Sequence, residues 1–397
     1  MRKCHAYIFF SSIGLSTKTA CNTCHIETND YPFYYTIQQD TTSTRSNNSI
    51  TLTHSELAFE RDKILYLSES PSKLSSNTSH LTNSYEKILR SLPDNLDFKY
   101  LTISILNRKS SFIEIAHTGI SLTIPEDAVL SDDDQLIYLA ILYTDNHMPI
   151  LNSNQTRLSP VILIGPSDIT LVKPIVLSFE HTAQLNSSWK YHLMYADELF
   201  QWKTILTVGE ENISTPVYLQ FHNDQQGVIL LESMGVYVVT GECESYQQAL
   251  KSYQIACFYN QSSLRIRFFD RTSDAYERCL NEEFQLNSYL CDQPNEYLLS
   301  NINEQICFNL DLELSPTSRL NLGYKDIPFE LFWTNQIHRS CFVFHLPINE
   351  NFVLQQFILH INVYQPKLLD YALHTRLIVN TTQVCRFFVK SLIYFIE

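Results

Sequence analysis

The stretch Thr118–Val129, which reads TGISLTIPEDAV, decides the fold of this chain. Within it Ile120, Leu122 and Ile124 alternate with polar residues, the pattern of a strand with one buried and one solvent-facing side. Pro125 ends that strand, and acidic turn residues follow it. Strand and turn patterns of the same kind continue along most of the remaining chain, and no catalytic motif interrupts them. The sequence therefore predicts an all-β protein whose role is binding and signalling.

The length and net charge of the chain limit the number of its domains and the classes of partner it can bind. A chain of 397 residues is long enough for two or three domains that each bury a core. The formal net charge of −14 argues against nucleic acid or an anionic membrane surface as the main partner. The sequence contains no apolar run of the roughly 20 residues needed to cross a bilayer. The segment Tyr7–Leu15, after two basic residues, only faintly resembles a signal peptide.

The composition of the chain and the spacing of its apolar and turn residues divide it into four parts. Residues 1–109 are predicted to be a largely disordered leader, because positions 37–85 are crowded with Ser, Thr and Asn. Residues 110–241 show turn signals about every ten residues, which is typical of a β-sandwich or barrel. Residues 242–365 form a second β domain. The remaining residues, 366–397, are predicted to be a short tail without a death domain.

The second β domain is predicted to carry one helix. Ile306–Leu314 alternates apolar and polar residues five times, which is the cleanest strand pattern in the chain. Tyr276–Leu290 has helical spacing that would place Leu280, Phe284 and Leu286 on one apolar face. Because the link between the two domains is only a few residues long, the two sandwich-like domains are expected to pack on each other.

Several motifs resemble known families. Thr118–Val129, Leu158–Val161 and Gly235–Glu242 resemble the domain shared by zonula-occludens scaffolds and uncoordinated-five receptors. Leu264–Ile266 and Tyr324–Phe329 resemble the UPA domain that follows it in uncoordinated-five receptors, death-domain scaffolds and ankyrins. The order and spacing of these motifs are most similar to the intracellular tail of netrin receptors of the uncoordinated-five family.

The resemblance implies a function. It implies a cytoplasmic signalling scaffold of a netrin receptor at the cell membrane, which mediates axon guidance and repulsion by protein–protein interaction. Receptor-tail or death-domain proteins are the partners it implies; netrin would bind only through an ectodomain that this sequence does not show. In the family the first domain can hold a death domain. Here that face is expected to be exposed, or covered by residues 366–397 through Leu368, Leu369, Leu377 and Ile378.

The sequence departs from the family at a few turn positions. Asp127 and Asp168 stand where the family usually has glycine, and Asp tolerates a positive φ better than most residues. Both positions are therefore predicted to be turns of that kind. Glu180 stands where a proline is common, while the following His181 is kept. These changes leave the predicted fold intact.

Two alternatives within related families stay open. The first is a cytoskeletal adaptor like the spectrin-binding part of ankyrins, although this chain has one copy of the first domain and no repeats of about 33 residues. The second is a self-cleaving scaffold, in which a serine attacks the preceding carbonyl with help from a histidine. The segment most similar to such a site is Asn186–Trp189, but Ser188 lacks the preceding His-Phe pair that would activate it.

Metal and cofactor sites are not expected. Cys21–His25 matches a Cys-x-x-Cys-His haem pattern, and with Cys4 it has the ligand types of a zinc site, yet it lies in the predicted leader. A flexible thiol-bearing tail is the simpler interpretation. The cysteines are predicted to be free thiols. No catalytic residue, cofactor, metal or small-molecule substrate is predicted, and the scattered histidines are interpreted as strand or turn residues: His117, His181, His192 and His345.

The segment Asp94–Asp97 forms an Asp-x-x-Asp element before the first β domain. A caspase could cut such a segment if it were exposed and flexible. Phe98 follows the possible cut, and a bulky residue is disfavoured there. The alternative interpretation is that the acidic residues cap a helix or a turn.

Overall fold

The structure is a computed structural model. It describes residues 88–89, 92–93 and 96–380, apart from 130–134, 186–187, 198, 212–216, 224, 244–247, 261–262, 316–317, 336–340 and 347–355. Most of these residues form β-strands, which confirms the all-β fold class. Most of the predicted leader, and with it the Cys21–His25 segment, lies outside the described residues.

The first part of the described chain is a β-sandwich. Its strands are β1 (Leu101–Leu106), β2 (Ser111–Ile115), β3 (Ile120–Ile124), β4 (Gln135–Leu142), β5 (Gln155–Arg157), β6 (Val161–Gly165), β7 (Ile175–Glu180), β8 (Lys190–Ala196), β9 (Trp202–Thr207), β10 (Tyr218–Phe221), β11 (Gln226–Leu231) and β12 (Gly235–Glu242). Sheet 1 has the order β1-β4-β6-β12-β8-β9, with β5 also paired to β12. Sheet 2 has the order β10-β11-β7-β3-β2. The two sheets enclose the first core.

The opening stretch behaves as its pattern predicts. Ile120, Leu122 and Ile124 are at most 1% exposed and face the core between sheets 1 and 2. Asp127 has a φ of 57°, so the predicted turn with positive φ is confirmed there. Asp168 is not among the positive-φ residues of the described chain, so the same prediction is wrong at that position. The turn around Asp168 therefore forms without a left-handed residue.

The outer face of sheet 1 is covered by the chain that precedes β1. Ile88, Leu92 and Leu96 are buried against apolar residues of that face, such as Ile103 and Val238. β1 itself is the edge strand of sheet 1, paired with β4. The first sandwich thus includes residues before the predicted start at 110, because an otherwise exposed apolar sheet face needs a cover.

The second sandwich follows β12. Its elements are β13 (Leu250–Asn260), β14 (Ser263–Asp270), α1 (Ser273–Gln285), β15 (Tyr289–Leu290), β16 (Asn295–Ser300), β17 (Ile306–Ser315), β18 (Ser318–Ile327), α2 (Phe329–Trp333), β19 (Cys341–His345), β20 (Gln356–Gln365) and β21 (Leu368–Asn380). Sheet 3 has the order β15-β13-β14-β19, with β16 also paired to β13. Sheet 4 has the order β18-β17-β20-β21. The alternating residues of β17 fill the second core: Ile306, Phe308, Leu310 and Leu312.

The last strand lies where a tail was expected. β21 pairs with β20 from Gln356↔Asn380 to Gln365↔Leu368, so the boundary expected at 365 falls inside a hairpin. Leu377 is buried in the second core, opposite Leu359 of β20. Residues up to Asn380 therefore do not cover the first sandwich in the way proposed from the sequence, because they form the last strand of sheet 4, with Leu377 and Val379 in the second core and Leu369 and Ile378 exposed.

Helix α1 packs on the outer face of sheet 3 with a face that periodicity did not predict. Phe284 and Leu286 are 37% and 46% exposed, whereas Glu283 is fully buried. The reason is that β14 presents two arginines on this face: Arg265 Nε lies 2.6 Å and Arg267 Nε 2.7 Å from the Glu283 carboxylate. Paired charges, with their hydrogen bonds satisfied, replace part of the apolar contact.

Candidate functional site

The two sandwiches contact each other through backbone hydrogen bonds. The chain that leaves β7 runs antiparallel to the start of β13, with a β-bridge between Ala183 and Lys251. The Ser252 N–H donates to the Thr182 carbonyl at 2.7 Å. The packing expected from the short link is therefore present in the structure, and part of it is made by main-chain groups.

A buried lysine lies at the centre of this interface. The Lys251 side chain is fully buried, and its ammonium lies 3.3 Å from Asp270 Oδ1 and 2.5 Å from Asn335 Oδ1. It also donates to the Thr156 hydroxyl at 3.4 Å and lies 4.9 Å from the centre of the Tyr253 ring. Burial lowers the pKa of Lys251 to about 8, and the nearby Asp270 opposes that shift. We call Lys251, Asp270, Asn335 and Thr156 the interface cluster.

Each member of the interface cluster is placed by a different element. Asn335 follows the short helix α2 and has a φ of 60°, the left-handed conformation that often ends a helix. Its N–H donates to the Phe332 carbonyl, and its side-chain amide donates to Asp270 at 2.6 Å. Thr156 belongs to β5 of the first sandwich, and its hydroxyl donates to the Trp333 carbonyl. The interface cluster thus joins both sandwiches.

Two tryptophans extend the interface beside this cluster. Trp189, which precedes β8, stacks on Trp333 of α2 with ring centres 5.7 Å apart. The Trp189 indole N–H donates to the Leu250 carbonyl at 3.2 Å. Trp333 also stacks on Phe329 at 5.1 Å and is only 2% exposed. The aromatic contact therefore connects the first sandwich to the core of the second.

The start of helix α1 is held by a residue of the first sandwich. The Glu180 carboxylate accepts hydrogen bonds from the Ser273 N–H at 2.5 Å and from its hydroxyl at 2.9 Å. A carboxylate at a helix N-terminus satisfies a free N–H and is favoured by the helix dipole. Gly119, with φ 69°, leaves room for Glu180, since a Cβ there would lie 2.6 Å from the carboxylate. The departure from the family pattern at Glu180 therefore makes an inter-sandwich contact.

The next residue of α1, Asp274, makes a second polar contact. The Tyr143 hydroxyl donates to Asp274 Oδ2 at 3.0 Å, and the Arg278 guanidinium lies 4.6 Å from the centre of the Tyr143 ring. Asp274 is 3% exposed, and burial raises the pKa of its carboxyl to about 6. These contacts line a cleft between the sandwiches, together with Arg157 and Thr182.

The raised pKa of Asp274 gives a testable pH dependence. The folded state keeps a proton on Asp274 up to about pH 6, whereas the unfolded state loses it near 3.8. The contribution of this group to the free energy of unfolding therefore falls as pH rises from 4 to 6, by up to about 3 kcal/mol. Asn in its place can still accept the Tyr143 hydrogen bond without titrating. We expect Asp274→Asn to gain stability relative to the unchanged chain across this window.

Urea denaturation of both chains at pH 4, 5, 6 and 7 measures this difference. The unchanged chain serves as the control at each pH, so other titrating groups cancel. A difference between the two chains that stays constant from pH 4 to 7 would contradict the assignment of this titration to Asp274.

The structure also locates the residues that the sequence singled out. Ser188 is exposed, and its N–H donates to the Gln248 carbonyl at 3.0 Å; Asn186 and Ser187 lie outside the described residues. Two of the histidines have hydrogen-bond partners other than Ser188: His181 Nε2 pairs with the Asn223 carbonyl, and His192 Nδ1 pairs with the Thr207 hydroxyl.

Asp97 has the role of a cap. Its carboxylate accepts the Lys99 N–H at 3.0 Å and begins the 3₁₀ turn Phe98–Tyr100. Leu96 before it is 7% exposed and Tyr100 after it is 2% exposed. The interpretation as a helix cap is confirmed. An extended protease substrate would require these two apolar side chains to leave the core.

The interface cluster was missed from the sequence, although one signal for it exists. In β13, Lys251 occupies the same face as Tyr253, Ile255 and Cys257, which all point into the second core. A lysine at an inward position of a strand indicates a buried partner of opposite charge. The identity of that partner, Asp270 of β14, does not follow from the periodicity.

The part of the chain that the structure describes shows neither a metal-binding cluster nor a helix suited to span a membrane. No group of three or more His, Cys, Asp or Glu residues in that part is arranged to hold a metal ion. Among the helices that the structure describes, none combines the length and apolar character of a membrane span.

The first sandwich matches a known protein-family model. The ZU5 domain family model matches residues 102–197, which run from β1 to the end of β8. The ZU5 domain is a protein-interaction domain of scaffolds and receptors and is not catalytic. The match agrees with the resemblance seen in Thr118–Val129 and leaves the second sandwich unassigned.

Proposed function

We propose that this chain is a signalling scaffold in which both sandwiches act as one rigid binding unit, working as the cytoplasmic tail of a netrin receptor of the uncoordinated-five family does. The observation that carries the proposal is the attachment of a second sandwich to the ZU5-matched one through the buried interface cluster. A scaffold benefits from such a joint because a rigid surface loses little conformational entropy when a partner binds.

A mainly apolar row on the solvent-facing side of sheet 2 supports a protein partner. Strand register aligns Phe112, Thr123, Val176, Leu230 and Tyr218 across five strands on the side that faces away from the core. Phe112 is 56% and Tyr218 47% exposed. Aromatic side chains in an exposed apolar patch are typical of protein interfaces. We call this set the sheet 2 row.

The proposed partner of the sheet 2 row is a death domain of another protein, as the family resemblance implies. In this proposal the chain acts at the cytoplasmic face of the cell membrane in axon guidance and repulsion. Protein contact, and no turnover of a small molecule, is its activity, which agrees with the non-catalytic character of the ZU5 domain.

Isothermal titration calorimetry with an isolated receptor-tail death domain tests the proposal. Binding to the full chain is expected, and the double substitution Phe112→Glu with Tyr218→Glu should weaken it by at least about tenfold. Leu369→Glu, at a 65% exposed position of β21, is the matched control and should leave binding unchanged.

Two outcomes of this titration would contradict the proposal. No heat of binding with any death domain would remove the receptor-tail assignment. Binding to spectrin repeats, titrated in parallel, would instead favour a cytoskeletal adaptor of the ankyrin kind.

A further inference from the structure

Two cysteines of the second sandwich lie opposite each other, one on β13 and one directly after its partner strand β15. β13 and β15 are antiparallel, with Phe258↔Leu290 and Tyr259↔Tyr289 as partners. Extending this pairing by one residue on each side places Cys257 opposite Cys291. The Cys291 N–H donates to the Cys257 carbonyl at 2.8 Å, so the backbone pairing reaches this position.

Both thiols lie on the same side of sheet 3. Phe258 and Leu290 pack under helix α1, whereas Cys257 and Cys291 both pack against the core between sheets 3 and 4. Directly opposite residues of an antiparallel pair have Cα atoms about 4.5–5.5 Å apart, which lies within the range of about 4.4–6.8 Å that disulfides span. The neighbouring Cys291 thiol, followed by burial, raises the pKa of the Cys257 thiol.

The two thiols differ in their exposure to solvent. Cys257 is 2% exposed, while Cys291 is half-buried. Cys291 lies at a gap in the sheet, because β15 ends at Leu290 and the next strand paired to β13, β16, begins only at Asn295. The residues just after Cys291 in this gap are exposed. A small oxidant can therefore reach Cys291 first.

Two other cysteines on the described strands have no such partner in their register. Cys307 of β17 lies opposite Asp326 and Tyr364, and Cys341 of β19 lies opposite Arg267. The six cysteines of the described chain are all free thiols. The opposed pair is therefore distinguished by its geometry rather than by a general abundance of cysteine.

We propose that Cys257 and Cys291 form a redox modification site that closes into a reversible disulfide when a peroxide oxidises it. The Cys291 thiolate attacks a peroxide oxygen and becomes a sulfenic acid, and the peroxide is reduced to hydroxide. The Cys257 sulfur then attacks the Cys291 sulfur, the hydroxyl group leaves, and with the Cys257 proton it forms water. A dithiol returns two electrons and two protons and restores both thiols.

The disulfide would fix the end of the segment that carries α1. β14 and α1 lie between the two cysteines, and the chain after α1 first returns to β13 through the two-residue strand β15. The other end of α1 contacts the first sandwich through Ser273 and Asp274. Oxidation therefore adds a covalent attachment after the C-terminal end of α1, since a cross-link restricts the unfolded chain and local opening.

Peroxide treatment of the reduced full chain tests the site. After oxidation the remaining thiols are blocked with N-ethylmaleimide, and the chain is digested without reductant for mass spectrometry. We expect a cross-linked peptide pair joining Cys257 to Cys291 that separates on treatment with dithiothreitol. Cys291→Ser should abolish that pair, and Cys341→Ser, at a half-buried cysteine without an opposed thiol, should retain it.

Two results would overturn the proposal. One is full maleimide labelling of both Cys257 and Cys291 after peroxide, and the other is conversion of Cys291 to sulfinic acid without any cross-link. Because both results are read from the unchanged chain, they do not depend on whether a variant folds.

Discussion

Asp270→Ala is expected to lower the free energy of unfolding by about 3–5 kcal/mol. The reason is that Lys251 is fully buried and Asp270 Oδ1, 3.3 Å away, is its charge partner. Removing the carboxylate leaves the ammonium desolvated, and it also removes the acceptor of the Asn335 side-chain amide. Urea denaturation at pH 7, followed by circular dichroism, measures the loss.

A matched double substitution separates charge from packing. Lys251→Met keeps most of the side-chain volume and removes the buried charge, so the pair Lys251→Met with Asp270→Ala should be more stable than Asp270→Ala alone. Equal or additive losses would show that the stability of the interface cluster does not depend on the charge pair.

Trp333→Ala is expected to cost about 3–5 kcal/mol, the loss typical of a large buried aromatic residue. Trp333 is 2% exposed and stacks on both Trp189 and Phe329. Its removal leaves a cavity between the sandwiches and takes away the aromatic partner from the first of them. The midpoint of urea denaturation and the loss of the Trp189 near-ultraviolet signal both report the change.

Leu331→Ala is the control for this substitution. Leu331 belongs to the same helix, α2, but it is only half-buried at the edge of the second core. A smaller loss is expected there, with the Trp189 signal unchanged. If both substitutions lower the free energy of unfolding equally, the loss comes from damage to helix α2. The stacked tryptophans would then not couple the two sandwiches.

Strand patterns predicted much of the fold, because the alternation of apolar and polar residues along a strand directly reflects which side chains are buried. The residues of β3 and β17 that alternate in the sequence alternate between core and outer face in the structure. Apolar periodicity gave a wrong prediction for helix α1, where paired charges take the place of an apolar contact. Helix α1 buries Glu283 because Arg265 and Arg267 project from β14 beneath it, and no pattern within the helix itself contains that information.

The domain boundaries and the interface cluster could not be predicted from strand patterns, because they depend on contacts between distant parts of the sequence. The Thr156 hydroxyl contacts the Trp333 carbonyl across a long separation in sequence, and the contact exists only because both sandwiches are folded and docked. Likewise, the sequence of β21 does not show a clear strand pattern, because exposed residues of mixed character lie around the buried Leu377 and Val379. The segment is therefore predicted from the sequence to be a tail. Tertiary contacts of this kind leave little trace in a single sequence.

Native-state hydrogen exchange in increasing urea tests the central claim, that the two sandwiches form one cooperative unit. Amides of β12 in the first sandwich and of β17 in the second are followed together. Our structure predicts that their opening free energies converge on one common value as urea rises. Two separate values, with β17 opening well before β12, would contradict the claim.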